Sequence, residues 1–403
     1  MDSLTQIVLG AAMGEAVLGK KIGNRAMAWG ALVGTIPDLD VIGNLFLDKI
    51  DAIAFHRGIS HSIAFSVIAT FVFAFLTYRL YQWKGKYVLE FGLASIFHLL
   101  IFAGVAGIVL MVVESWFGFF LVIFIGLLGL RRMVANYIEN KSDYEAPSLR
   151  EWQWMWFLGL ITHPILDSFT VYGTQLFAPF SNYRVAFNNI SVADPIYTLV
   201  FLVVGIIPVA LYHRSSKTRR WFLYSGLFLS SLYMVFTFFN KVQVNKVMES
   251  TLATQEISYS KFMTNPSILN NVLWTGTVAS DSLYHQGLFS LLDKEKNFKL
   301  ISIPKNHHLI ADAKSDDKVI NILKWFSNNY YHILIRRDGK LQFNDMRYGT
   351  FRGDSYDEDD FIFRFVIEKG SDGYYSLIKE IAGGPDGNEK EMFGELWTRI
   401  KGI

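Results

Sequence analysis

The chain has 403 residues, 51% hydrophobic, and its 18% charged residues gather towards the C-terminus, so the length divides into an apolar part and a polar part. A net charge of +2 gives no ground for a nucleic-acid partner. The absence of cysteine excludes disulfides and thiolate ligands, so a metal site has to be built from His, Asp and Glu.

The opening segment, MDSLTQIVLGAAMGEAVLG, lacks a basic leading region and a clear cleavage site. It reads as a retained helix whose Gly and Ala allow close packing. Apolar length predicts a multi-pass helical membrane bundle of about eight spans, at about 1.5 Å rise per residue across about 30 Å. The expected spans are 3–19, 27–44, 59–81, 88–112, 116–130, 153–175, 194–212 and 221–239. The first two are Gly-rich, and a re-entrant path is open to either.

Basic residues set the expected orientation, because short cytoplasmic loops are rich in Lys and Arg. Lys20, Lys21 and Arg25 follow the first span, and Arg79, Lys84 and Lys86 the third. Arg131, Arg132, Lys141 and Arg150 follow the fifth, and Arg214, Lys217, Arg219 and Arg220 the seventh. The opposite loops hold only Lys49, Arg57 and Arg184. This places a membrane domain at 1–245 and an extracytoplasmic soluble domain at 246–403. In the latter, an amphipathic helix over about 241–262 leads into the alternating runs YHILIRR, KLQFNDM and FIFRFVIE, expected as strands of an α+β or mostly β fold, with RRDGK as a hairpin turn. SYDEDD reads as an acidic loop and GGPDGNEKE as a flexible one.

Polar residues interrupt the apolar part at a few places. GTIPDLDVIG carries Asp38 and Asp40, HRGISHS carries His56, Arg57, Ser60, His61 and Ser62, and LITHPILDSFTVY carries Thr162, His163, Asp167, Thr170 and Tyr172. Gln6 and Asp194 are weaker candidates that also suit helix caps. His163 and Asp167, four apart, share one helical face. Pro37 and Gly43 allow a break that lets Asp38 and Asp40 reach one centre, and Gly58 allows a turn between His56 and His61. The basic-loop orientation, which uses no His or Asp, puts these motifs at the same outer side.

Each motif also has an ordinary reading: PDLD as a turn, HRGISHS as a helix cap, and His163–Pro164 as a kink with a satisfied histidine. His98 is expected to pack in the apolar part, while His307, His308 and the run Asp357–Asp360 are expected to face solvent. Convergence favours a metal centre, since unpaired ionisable groups at membrane depth cost about 2.5–3.5 kcal/mol each. A sulfur-free His/Asp set suits Zn²⁺, Mn²⁺ or Fe²⁺, as one ion or two, and Arg57 suits a phosphate oxygen.

With PDLD, HRGISHS and HPILDSFT in this order over roughly residues 1–200, the chain resembles the YdjM-type family of inner-membrane proteins, regarded as metal-dependent hydrolases. The resemblance implies Asp38, Asp40, His56, His61, His163 and Asp167 as the metal or catalytic set. Ser60 stands where the family often has Thr. Arg57, Asp40 and His56 are the residues expected to act on substrate. The expected activity is hydrolysis of a phosphoester in a lipid or lipid-linked molecule near the outer leaflet. An ion- or proton-coupled transporter and a metal-tied scaffold are the alternatives.

Overall fold

The computed structural model describes residues 1–83, 92, 95–96, 98–99, 102–103, 106–107, 115–139, 145–383 and 389–402. Helix α1 (Ser3–Ile22) starts at Asp2, whose carboxylate accepts the Thr5 N–H. A reversal at Gly23, in the left-handed region at φ 60°, returns the chain as α2 (Asn24–Thr35). The two cross in backbone contact through Gly10, Gly14, Gly30 and Gly34. A Cβ on Gly14 would run into the Ala26 carbonyl, and one on Gly30 into that of Gly10. This is the small-residue packing that lets helices approach without side chains between them.

Pro37 ends α2 and begins a 3₁₀ stretch, Pro37–Leu45, with Asp38 and Asp40 in its first turn. The short α3 (Lys49–Phe55) follows, then α4 (Ile63–Gln82), whose N-cap Ser62 accepts the Phe65 N–H. After α5 (Trp116–Glu139), helix α6 (Leu149–Asp167) opens with a Ser148/Glu151 capping box. It packs between α1, α2 and α4. Trp156 stacks on Phe73 at 4.9 Å and donates to Thr77 Oγ1 at 3.0 Å.

The segment from Pro195 to Leu211 is one continuous apolar helix in which a π-helical turn, Phe201–Ile206, joins α7 (Pro195–Val200) to α8 (Ile207–Leu211). Helix α9 (Lys217–Thr254) then runs 38 residues without interruption. It continues through most of the segment expected as a separate amphipathic helix.

The expected eight-span bundle is corrected here. Among the described residues, two helices are long and apolar enough to cross a membrane, α4 and α9. The expected span 27–44 is a 12-residue helix ended before Pro37. The span 194–212 is an apolar helix, Pro195–Leu211, and the span 116–130 lies in the apolar stretch Trp116–Arg131, both under the 18 residues taken for a crossing among the described residues. Helices α1 and α6 bury their apolar residues against each other and their neighbours, together with Glu15, His163 and Asp167. Hydropathy counted those residues without distinguishing a protein neighbour from lipid. Most of the expected span 88–112 lies outside the described residues.

The C-terminal part holds two antiparallel four-stranded sheets. The first runs β1 (Lys261–Pro266), β2 (Leu273–Ala279), β3 (Leu283–Ser290), β4 (Ile301–Pro304), and the second β5 (Tyr331–Ile335), β6 (Leu341–Asp345), β7 (Phe363–Lys369), β8 (Tyr375–Ala382), each in sequential order. Helix α10 (Lys318–Phe326) lies between them in sequence, and α11 (Glu389–Ile400) follows the second. The three expected strands are β5, β6 and β7. Their RRDGK connection closes with Arg336 N–H donating to Lys340 O and Gly339 at φ 79°. Tyr284, Ile303, Met346 and Phe361 form a core shared by the two sheets.

Two contacts fix this part to the helices. The end of α9 buries Val244, Met248 and Leu252 against Trp274, Val278 and Phe289 of the first sheet. Helix α3 buries Ile50 and Ile53 with Leu323 and Phe326 of α10 and with Phe343 and Phe365 of the second sheet. The second sheet therefore stands over the loop that leads into HRGISHS.

Candidate metal centre

The last turn of α6 carries His163 and Asp167 on one face, both buried. The 3₁₀ turn after α2 brings Asp38 beside them, and a second 3₁₀ turn, Ile59–His61, brings His61. One ligand atom from each of Asp38, His61, His163 and Asp167 lies within 4.8 Å of all the others. His61 Nε2 is 3.4 Å from both Asp38 Oδ1 and Asp167 Oδ2, and His163 Nε2 is 3.3 and 3.5 Å from the same two atoms.

The outer nitrogens decide which way these rings face. His163 Nδ1 donates to the Gly34 carbonyl at 2.6 Å, a position fixed by the α1–α2 crossing. His61 Nδ1 lies 3.0 Å from Ser60 Oγ and 3.3 Å from Asp40 Oδ2. A histidine tied at Nδ1 presents Nε2 as a ligand, the arrangement that orients imidazoles around metals. Here the two Nε2 atoms face each other at 3.1 Å.

Two facing lone pairs need a proton or a cation between them. Asp167 Oδ2 is buried without a hydrogen-bond partner, and so is Gln6 Oε1, although Gln6 Nε2 donates to Asp167 Oδ1 at 3.0 Å. The Met1 amino group also contacts Asp167 Oδ1. The orphaned oxygen and the facing nitrogens make these four residues a fit for a divalent cation.

Burial works against the Asp38 carboxylate, but the His163 and His61 rings beside it outweigh this and hold it well below the usual range. Asp40 behaves alike through His56 and His61. Burial also disfavours a charged His61, yet Asp167, Asp38 and Asp40 together raise it to about 10. The three carboxylates thus favour positive charge at this position.

Asp40 and His56 stand beside the four-residue group. Asp40 Oδ1 pairs with His56 Nδ1 at 2.9 Å, while Oδ2 accepts the Arg57 backbone N–H at 2.9 Å and Ser60 Oγ at 3.2 Å. His56 is 30% exposed at its side chain, and its ring lies 5.4 Å from that of Tyr172. Arg57 sits at φ 55°, a costly backbone for a non-glycine residue. This turn aims its guanidinium back into the cluster. Nη1 donates to Thr170 Oγ1 at 3.1 Å, Nε is 3.3 Å from Asp167 Oδ2, and Cζ is 4.7 Å from the Tyr172 ring centre. Gly58 is required next to it, since a Cβ there would press on Phe55 O at 2.7 Å.

The remaining candidates divide. Ser62 caps α4, Thr162 bonds Leu158 O within its helix, and Asp194 caps α7 through the Ile196 and Tyr197 N–H groups. His98 packs on Phe102 and contacts Gly126 O at 2.8 Å. His307, expected in solvent, stacks on Tyr331 at 3.9 Å and donates to its carbonyl. Arg184, counted in the sequence only as a loop charge, lies 4.5 Å from the Tyr172 ring. Its coil position carries no motif from which this could be read.

No curated protein and no solved structure matches the chain. The profile of the YdjM inner membrane protein family matches residues 1–111 and 112–244, which include every residue of the cluster and leave the two sheets outside. The chain belongs to the YdjM inner membrane protein family, which indicates an inner-membrane location.

Proposed function

We propose that the chain is a metal-dependent hydrolase of phosphoesters carried by a membrane lipid or a lipid-linked molecule. The observation that carries this reading is the buried Asp38–His61–His163–Asp167 group with an orphaned carboxylate oxygen and Arg57 at its edge. Asp38, His61, His163 and Asp167 would hold the ion, and the His/Asp donor set favours zinc, with manganese or iron as alternatives. Such a cation supplies Lewis acidity towards a phosphoryl oxygen.

The chain's own groups do the rest. Arg57, already fixed by Thr170 and Asp167, binds a non-bridging oxygen and offsets its growing charge. Asp40 holds His56 Nδ1, which leaves Nε2 to take or give a proton at the open side of the site. The stretch beside Asp38 exposes Leu39, Val41, Ile42, Leu45 and Phe46. That apolar rim, between α2 and α3, supports a substrate approaching from the bilayer.

The test is elemental analysis of detergent-purified protein, followed by phosphate release from short-chain phosphatidic acid. Wild type should carry about one or two equivalents of metal and release phosphate. Asp38→Ala/His163→Ala should lose both. A metal-free wild type after incubation with zinc, manganese and iron sinks the proposal.

A further inference from the structure

Arg184 lies in the coil between α6 and α7, at the junction with the second sheet. Nη2 donates to Tyr172 O at 2.6 Å and to Gly173 O at 3.4 Å. Nε and Nη1 are buried and have no hydrogen-bond partner. Those two atoms carry three N–H donors, all unused. Among the described residues, no carboxylate forms an ion pair with Arg184.

Its neighbours do not make up the deficit. The guanidinium carbon is 4.5 Å from the Tyr172 ring centre, 4.6 Å from Phe326 and 5.2 Å from Trp325. Aromatic faces attract a cation, but they accept none of its directed hydrogen bonds. Two further arginines share these rings, Arg57 at 4.7 Å from Tyr172 and Arg347 at 4.9 Å from Phe326. Each of those has a counter-charge. Arg57 has Asp167 at 3.3 Å, and Arg347 has Asp345 at 2.6 Å. Arg184 alone of the three is uncompensated. Burial lowers its pKa first, Tyr172 opposes this, and Arg347 and Arg57 add to the lowering, to about 10. A desolvated cation without a partner is costly, and removing the charge or supplying an anion relieves that cost.

We propose that Arg184 anchors an anion subsite for a phosphate-type oxyanion, at the Tyr172 ring that it shares with Arg57 of the metal centre. A tetrahedral oxyanion offers enough acceptors for the three free donors, which a single aromatic or amide ligand does not. That this anion belongs to the substrate rests on the hydrolase reading; that Arg184 binds it does not. The same chemistry is presented by free phosphate and by a lipid phosphomonoester.

The test uses the full chain in detergent, both wild type and in the Asp38→Ala/His163→Ala background, where the centre cannot hold metal. Binding of inorganic phosphate, dihexanoyl phosphatidic acid and dihexanoyl phosphatidylcholine is measured calorimetrically, and unfolding midpoints are recorded without ligand. In both backgrounds Arg184→Gln should weaken phosphate binding at least about tenfold, the loss of a charge-assisted contact. Arg184→Lys should fall between. Without phosphate, the Arg184→Gln protein should unfold no lower than its parent, because a stranded charge has gone. Equal phosphate affinity with and without Arg184 overturns the subsite. So does a lowered midpoint with unchanged affinity, which marks Arg184 as packing only. Tighter binding of phosphatidic acid than of phosphate or phosphatidylcholine assigns the anion to a lipid head group, and equal binding of phosphate and phosphatidic acid assigns it to the free ion. Metal-free wild type with Arg184-dependent phosphate binding defeats the hydrolase reading and leaves the subsite standing.

Discussion

At the scale of single residues, the site depends on side chains that orient others. Asp40 has both carboxylate oxygens engaged, with His56 on one side and with Arg57 N, Ser60 and His61 on the other. Its replacement by Asn removes the charge that holds His61 Nδ1 while keeping the shape. Metal affinity is expected to fall about 10- to 100-fold, as for other partners behind a ligating histidine. Titration with zinc against a competing chelator measures this, and an unchanged dissociation constant refutes it. His61 supplies a second prediction. Its pKa in the metal-free fold is raised from 6.5 to about 10. The stabilisation this gives is complete below pH 6.5 and is lost as pH rises through about 10. A cation has to displace the same proton. Metal-free protein should therefore melt at progressively lower temperature from pH 7 to 10, whereas metal uptake should release about one proton and tighten with pH. Binding heats that do not depend on the buffer's ionisation enthalpy would contradict it. The Asp and His members of the cluster were legible because each sits in a short motif with a turn-former beside it. Gly34 and Arg184 were not, since a backbone carbonyl and a lone coil arginine acquire their roles only from what the fold sets against them.

Among the elements, the α1–α2 crossing sets the geometry of everything after it. The crossing fixes the Gly34 carbonyl that turns His163, and α2 ends two residues before Pro37 and three before Asp38. Gly30→Ala places a methyl against the Gly10 carbonyl and Gly14. The strain should cost about 1–3 kcal/mol and shift α2 enough to lower metal content. Thermal melts and elemental analysis check both effects; a full metal complement at reduced stability would separate the crossing from the site. The strands show why one sheet was readable and the other was not. β5 and β7 set Ile333, Phe365 and Ile367 in one core, within runs dense in apolar and aromatic residues. β2 is buried on both faces, with Thr275 and Thr277 on one and Gly276 on the other, and β3 buries Gln286, which blurs the apolar period. Spans were over-counted for a related reason. Glycines and alanines that pack helix on helix look the same in sequence as those that face lipid.

For the molecule as a whole, apolar burial outweighs surface charge in holding the sheets to the helices. Lys318–Asp51 is close, 2.6 Å, but solvent-exposed, so Lys318→Ala should change stability by about 0–1 kcal/mol. Ile53 is 5% exposed in the core of the second sheet, and Ile53→Ala should cost about 2–5 kcal/mol. Unfolding in denaturant compares the two, and similar losses would contradict this ranking. The long helix α9 adds a mechanical property. Its 38 residues measure about 57 Å, against about 30 Å for a bilayer core, and it contains no proline. One end is seated in the first sheet and the rest in the helical part. With no joint between them, the helix is a lever. Where a thinner or thicker bilayer acts on its tilt, the force reaches sheets that α3 also holds, through Ile50 and Ile53. Arg347, bonded to Val171 O at 3.2 Å, and Phe326, 5.2 Å from the Tyr172 ring, are where such a force would meet the site, so membrane thickness becomes a quantity to which it can respond.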